Sequence, residues 1–153
     1  MKRKIDIEEE RRFENSNVLG SDHRSKQEKF FWAVVPKLHK YNEYVNNKIR
    51  NKIVLEIGCS NGESVKRYSK YCKNITGVDL SDEGIKYAKS LKIKNAEFYL
   101  ADAHNLPFED KTFDIVIVNS MLHHLDLNIA FQQIHRILKN DGKLYAREPL
   151  GTN

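Results

Sequence analysis

Cysteine is scarce in this chain. Cys59 and Cys72 are the only two in 153 residues. No Cys-x-x-Cys spacing and no nearby His pairing accompanies them, which argues against a zinc site and for a reducing cytoplasm. Long apolar runs are also missing, so no segment reaches the length of a membrane span. The opening Met1-Lys2-Arg3-Lys4-Ile5-Asp6 is basic but has no apolar core behind it, which excludes a secretory signal. Internal repeats and low-complexity linkers are absent. The net charge of +5 does not gather into one basic block. Scattered lysines argue against a nucleic-acid partner. What remains is 31% charged and 40% hydrophobic residues. That composition fits a globular domain with a real core.

One stretch organises the chain: Lys52 to Ser64, K-I-V-L-E-I-G-C-S-N-G-E-S. Ile53, Val54, Leu55 and Ile57 form a short apolar run rich in β-branched residues. Such a run reads as a strand buried on both faces of a parallel sheet. Gly58 and Gly62 then make a turn, and Val65 and Tyr68 begin helical spacing. Strand, glycine turn and helix place a ligand at the carboxyl end of a parallel sheet.

The rest of the chain alternates in the same way. Residues 1–22 are charged and read as a lid-like arm, with helical pairing at Glu8-Glu9-Glu10-Arg11-Arg12 and a cap at Ser21 and Asp22. Residues 25–48 are helical in pattern, and Pro36 divides them into two helices. Their aromatic side chains, Phe30, Phe31 and Tyr41 among them, cover a sheet edge or wall a small-molecule pocket. Strands follow at 53–57, 74–80, 96–100, 113–118 and 143–147. Helices follow at 63–71, 82–91 and 129–138. Asn140-Asp141-Gly142 reads as the stop of the last helix. The fold class is therefore α/β: a doubly wound parallel sheet preceded by an N-terminal helical arm. The arm spans 1–48 and the core 49–153.

Chemistry gathers at strand ends. Asp79 closes strand two about 20 residues beyond the first glycine, the position of an acid that holds ribose hydroxyls. Asp102 follows strand three and is placed to accept from an adenine amino group. Together with the glycine turn they point to an adenosine-containing ligand. Glu56 stands directly before the turn. It repels a pyrophosphate and suits a cationic group, an amine or a sulfonium. A nicotinamide cofactor fits poorly.

These residues resemble a family. V-L-E-I-G-C-S-N-G (54–62), G-V-D-L-S (77–81), A-D-A-H-N-L-P-F (101–108), F-D-I-V-I-V-N-S-M-L-H-H-L (113–125) and I-L-K-N-D-G-K-L (137–144) are similar to successive motifs of class I S-adenosylmethionine-dependent methyltransferases. The nearest branch is the type 11 group, similar to the ubiquinone and menaquinone methyltransferases. The resemblance implies a Rossmann-like fold that binds S-adenosylmethionine and releases S-adenosylhomocysteine. It implies that Glu56 and the loop Gly58, Cys59, Ser60, Asn61 and Gly62 hold the methionine part. Asp79 would hold the ribose and Leu80 would pack on the adenine. Asp102 and Ala103 would read the adenine edge, with His104 beside them, and Asn119 would border the methyl-transfer site.

The chain departs from the family pattern in two places. Ser60 replaces the middle glycine of the loop. The sequence ends shortly after strand five, where the family continues with a helix and an antiparallel strand pair, so a shortened domain is expected. Strand five would then be an open edge able to pair with a second copy. His123 and His124 follow strand four and are candidates for a general base if the acceptor needs one, with His124 preferred. The N/D-P-P-Y signature of nucleic-acid amine methylation is absent. A small-molecule acceptor is therefore expected. The alternatives are an RNA or protein acceptor, or a cofactor-binding module without catalysis.

Overall fold

The computed structural model describes Glu8, Arg11, Arg12 and residues 36–148. The strands are β1 (Ile53–Ile57), β2 (Asn74–Asp79), β3 (Ala96–Leu100), β4 (Phe113–Asn119) and β5 (Leu138–Arg147). The helices are α1 (Pro36–Lys48), α2 (Glu63–Tyr68), α3 (Asp82–Ser90) and α4 (Leu127–Ile137). The five strands form one sheet in the order β3-β2-β1-β4-β5, and every pairing is parallel. This is the doubly wound arrangement expected from the alternating pattern.

Period-two alternation divides the core between the two faces of the sheet. On one face Val54, Ile75, Ile115 and Ile117 pack with Val45 of α1 and Ile49 just after it, Val65 and Tyr68 of α2, and Ile85 and Ala88 of α3. On the other, Leu55, Ile57, Val78, Val116 and Val118 pack with Ala130, Ile134 and Ile137 of α4.

Several boundaries differ from the sequence reading. Pro36, the expected point of division, opens α1, where its missing N–H costs nothing. The segment before it lies outside the described residues, as do Ser21 and Asp22. Helix α2 stops at Tyr68 rather than running to residue 71. There the Asn95 side chain donates to the Ser69 carbonyl at 2.9 Å, satisfying the end of the turn. Helix α4 starts at Leu127, not at Ile129, because Asp126 caps it by accepting from the Asn128 N–H at 3.0 Å. Asn140-Asp141-Gly142 is not a loop after the helix. The chain passes from α4 into β5 at Leu138, which pairs with Phe113, and the ladder resumes at Ile115 and Lys143 after an irregularity. The three turn-forming residues are absorbed into that irregularity.

Arg136 of α4 staples the loop between β3 and β4. Its guanidinium donates to the Phe108 and Leu106 carbonyls at 2.6 and 2.9 Å. At the N-terminal side, the Arg11 guanidinium lies 3.5 Å from the Asp82 carboxylate at the start of α3. No helix among the described residues is long and apolar enough to cross a membrane.

Candidate functional site

Strand order reverses between β1 and β4, since β2 and β3 lie on one side of β1 and β4 on the other. A crevice opens outside the carboxyl ends of strands at such a switch point. The glycine turn leaves β1 there. Gly58 and Gly62 both adopt left-handed backbone, with φ of 78° and 80°. The Gly58 and Cys59 N–H groups donate to the Val78 carbonyl at 2.9 and 3.0 Å, which ties the turn to β2. A side chain at Gly58 would run into Met121.

Glu56 is the buried polar centre of this end of the sheet, with 1% of its surface exposed. Ser64 Oγ donates to its Oε2 at 2.7 Å. Asn119 Nδ2, from the end of β4, donates to its Oε1 at 3.2 Å and to Tyr68 Oη at 3.4 Å. Burial pushes the Glu56 carboxyl up to about 7, against the hydrogen bonds from Ser64 and Asn119. Burial and the neighbouring Tyr68 push Tyr41 up to about 12, so its hydroxyl remains a donor.

Asp79 lies at the end of β2 as expected, and both its oxygens already take a backbone N–H. Ser60 N–H donates to Oδ2 at 2.7 Å and Ser81 N–H to Oδ1 at 2.8 Å. The aspartate thus pins the glycine turn to the start of α3, a structural duty that its spacing alone did not reveal. Ser81 also caps α3, its hydroxyl accepting from the Gly84 N–H at 2.9 Å. Leu80 is half-buried beside it.

Asp102, Ala103 and His104 form a second group after β3. Asp102 Oδ1 accepts from the His104 N–H at 2.9 Å and faces His104 Nδ1 at 2.7 Å. His104 Nε2 accepts from the Asp126 N–H at 2.9 Å, so the ring carries its proton on Nδ1. His104 therefore joins the loop to the cap of α4. Ala103 is buried. Among the described residues, none donates to Asp102 Oδ2.

The histidine pair after β4 is sorted by a residue that sequence reasoning missed. Glu148 Oε1 accepts from the Met121 and Leu122 N–H groups, each at 2.7 Å. Its Oε2 lies 2.6 Å from His123 Nδ1. Burial raises the Glu148 carboxyl, but His123 and the two backbone N–H groups outweigh it and leave it below its usual range. His123 is the ring oriented by a carboxylate. His124 is half-buried, with its ring centroid 4.0 Å from that of His123. No local motif links Glu148 to residues more than twenty positions earlier; only the β4–β5 pairing brings them together.

Cys59 is buried in the turn, and burial followed by the charges of Asp79 and Glu56 holds its thiol well above the usual range. Burial pushes Cys72 up to about 11. Both thiols should stay silent toward Ellman's reagent in the folded chain at about pH 8 and react in denaturant, because only thiolate attacks. Rapid labelling of native Cys59 would contradict this placement. No group of three or more His, Cys, Asp or Glu side chains among the described residues is arranged to hold a metal ion.

Known proteins share this fold. The model of the methyltransferase domain family matches residues 55–146. The uncharacterized methyltransferase YcgJ of Bacillus subtilis is 34% identical over 95 residues, covering 59% of this chain and 38% of that protein. Demethylmenaquinone methyltransferase of Thermotoga maritima is 31% identical over 103 residues, covering 65% of this chain and 44% of that protein. The crystal structure of YcgJ superposes with a TM-score of 0.66 at 29% identity, covering 71% of this chain and 50% of that one. The chain thus spans less than half the length of these curated relatives. With the match running from the middle of β1 to the end of β5, the chain belongs to the class I S-adenosylmethionine-dependent methyltransferase family, in its type 11 branch.

Proposed function

We propose that this chain binds S-adenosylmethionine across the carboxyl ends of β1, β2 and β3 and serves methyl transfer to a small-molecule acceptor. The observation that carries the reading is Glu56, a buried carboxyl at the switch point, touched by Asn119 and Ser64 and set directly before a left-handed glycine turn. The residues present fit the cofactor. Asn119 Oδ1 is buried without a partner among the described residues, and together with Glu56 it offers acceptors to an ammonium group. When bound, the cofactor supplies a methyl group already activated on a sulfonium.

The chain's own work is to bind, orient and exclude water. Glu56, with Gly58, Cys59, Ser60, Asn61 and Gly62, holds the amino-acid end. Asp79, at the end of β2, accepts from ribose hydroxyls, with Leu80 against the adenine. Asp102 and Ala103 face the adenine edge, and His104 keeps that loop in place. Asn119 borders the transfer site. If the acceptor must lose a proton, the base role passes from His124 to His123, whose ring Glu148 orients. The name of the Thermotoga relative, a demethylmenaquinone methyltransferase, supports a small acceptor.

The test is calorimetric titration with S-adenosylhomocysteine, beside Asp79→Asn and with circular dichroism on both proteins. Saturable binding by the natural chain and about tenfold or greater loss in the variant is expected. No binding by a folded chain, with binding of NADH instead, would sink the reading.

A further inference from the structure

Three buried polar atoms at this end of the sheet lack any hydrogen-bond partner among the described residues: Tyr41 Oη, Asn119 Oδ1 and Arg147 Nε. Buried polar groups are almost always paired, so several unpaired ones in one place call for an explanation. They are neighbours. Asn119 and Arg147 are register partners across β4 and β5. The Ser120 N–H donates to the Arg147 carbonyl at 2.7 Å, which fixes that end of the ladder. The Arg147 guanidinium lies 5.8 Å from the centroid of the Tyr41 ring. Asn119 in turn touches Glu56 and Tyr68. Arg11, Arg136 and Lys139 each face a carboxylate. Arg147 makes no such pair among the described residues, and its cationic group rests on an aromatic face instead.

We propose that Arg147 and Tyr41 form an oxyanion-binding site, for a carboxylate or phosphate group, beside the cation-accepting Glu56. The inference rests on reading this end of the sheet as the ligand site. A guanidinium presents a planar fork of donors that matches a carboxylate or phosphate, and the tyrosine hydroxyl adds one more. Glu56 and Asn119 Oδ1 supply acceptors next to these donors. The pocket is therefore bipolar, suited to a ligand that brings both charges to one spot. Two sources can supply the anion: the carboxylate of the cofactor's own amino-acid tail, or an acidic group on the acceptor.

The experiment uses Arg147→Gln and Tyr41→Phe, each checked by thermal denaturation. Calorimetry compares S-adenosylhomocysteine with its decarboxylated analogue, 5′-deoxy-5′-(3-aminopropylthio)adenosine. A second arm follows thermal protection by inorganic phosphate and by succinate, with and without saturating S-adenosylhomocysteine. We expect both variants to lose about tenfold or more for an oxyanion-bearing probe. Loss confined to S-adenosylhomocysteine, with the decarboxylated analogue unaffected, assigns the site to the cofactor tail. Unchanged S-adenosylhomocysteine binding with lost protection by phosphate or succinate assigns it to the acceptor. Protection that needs Arg147 in a chain that binds no S-adenosylhomocysteine keeps the oxyanion site and removes the cofactor reading. Tyr41→Phe deletes only an unpaired hydroxyl, so its melting temperature should hold or rise while binding falls. Equal responses of the natural chain and both variants to every probe overturn the proposal, as does a lowered melting temperature in Tyr41→Phe with Arg147→Gln silent.

Discussion

Replacing Glu56 with glutamine should make the ligand-free chain more stable at about pH 8 and a poorer host for a cation. The carboxyl is pushed from an ordinary value of 4.5 up to about 7 by burial. The folded chain therefore holds a proton that the unfolded chain has already released. In that window stability falls as pH rises, because the native state binds more protons than the denatured one. A shift of this size corresponds to roughly 3 kcal/mol, fully present below about pH 4.5 and lost by the time the pH has passed 7. Glutamine keeps the shape and the acceptor for Asn119 but never has to ionise. The variant and the natural chain should match at about pH 4 and diverge above pH 7, by roughly 6–12 °C in melting temperature for a chain of this size. Binding of a cationic ligand reverses the preference. It favours the carboxylate, so binding near neutral pH should release a proton, and the calorimetric heat should then depend on the ionisation enthalpy of the buffer. A flat stability profile in the natural chain between about pH 5 and 8 would show that Glu56 is already ionised without a ligand.

Gly62→Ala should be among the most destabilising single-methyl additions in the chain. Its φ of 80° is left-handed, which costs a residue with a Cβ about 1–2 kcal/mol. The added carbon would also sit 2.8 Å from Ala88 Cβ and 3.1 Å from the Phe98 ring. Both neighbours belong to the core cluster under α2 and α3, and overpacking of that kind costs about 1–3 kcal/mol. The sum is roughly 2–5 kcal/mol in urea unfolding. Gly58→Ala makes the comparison informative. It shares the backbone cost, with φ of 78°, but its new methyl meets the flexible Met121 side chain, which can move aside. Gly58→Ala should therefore lose less stability than Gly62→Ala and more of its binding. The reverse order would mean that Met121 is the rigid element.

The β-branched runs at Ile53–Ile57 and Phe113–Val118 made the central strands legible, because burial on both faces leaves no polar alternation to confuse. The strand-end acids were legible for the same reason, since the strands set where Asp79 and Asp102 fall. Features that depend on partners distant in the chain were not. Asp79 proved to hold the Ser60 and Ser81 N–H groups as well. Nothing in the spacing of Asp79 distinguishes a free carboxylate from one already bonded. Asn140-Asp141-Gly142 carries strong turn chemistry, yet ladder pairing with β4 on either side of it kept the segment within a strand. Glu148 and Arg147 lie beyond the last motif and gain their meaning only from β4.

The placement of β1 also governs how this chain comes off the ribosome. Val54 pairs with Ile75 on one side and with Ile115 on the other. Until the segment Ile115–Val118 has emerged, a nascent chain carrying β1, β2 and β3 leaves the backbone N–H and C=O groups along one side of β1 unpaired, the kind of edge that invites pairing with a neighbouring chain. β4 pairs with β1 across more than fifty residues of intervening chain, and pairing of such long sequence separation should slow folding. Chaperone dependence, if the cell provides it, should be greatest for intermediates interrupted just before β4, when the seam of the sheet is complete on only one side.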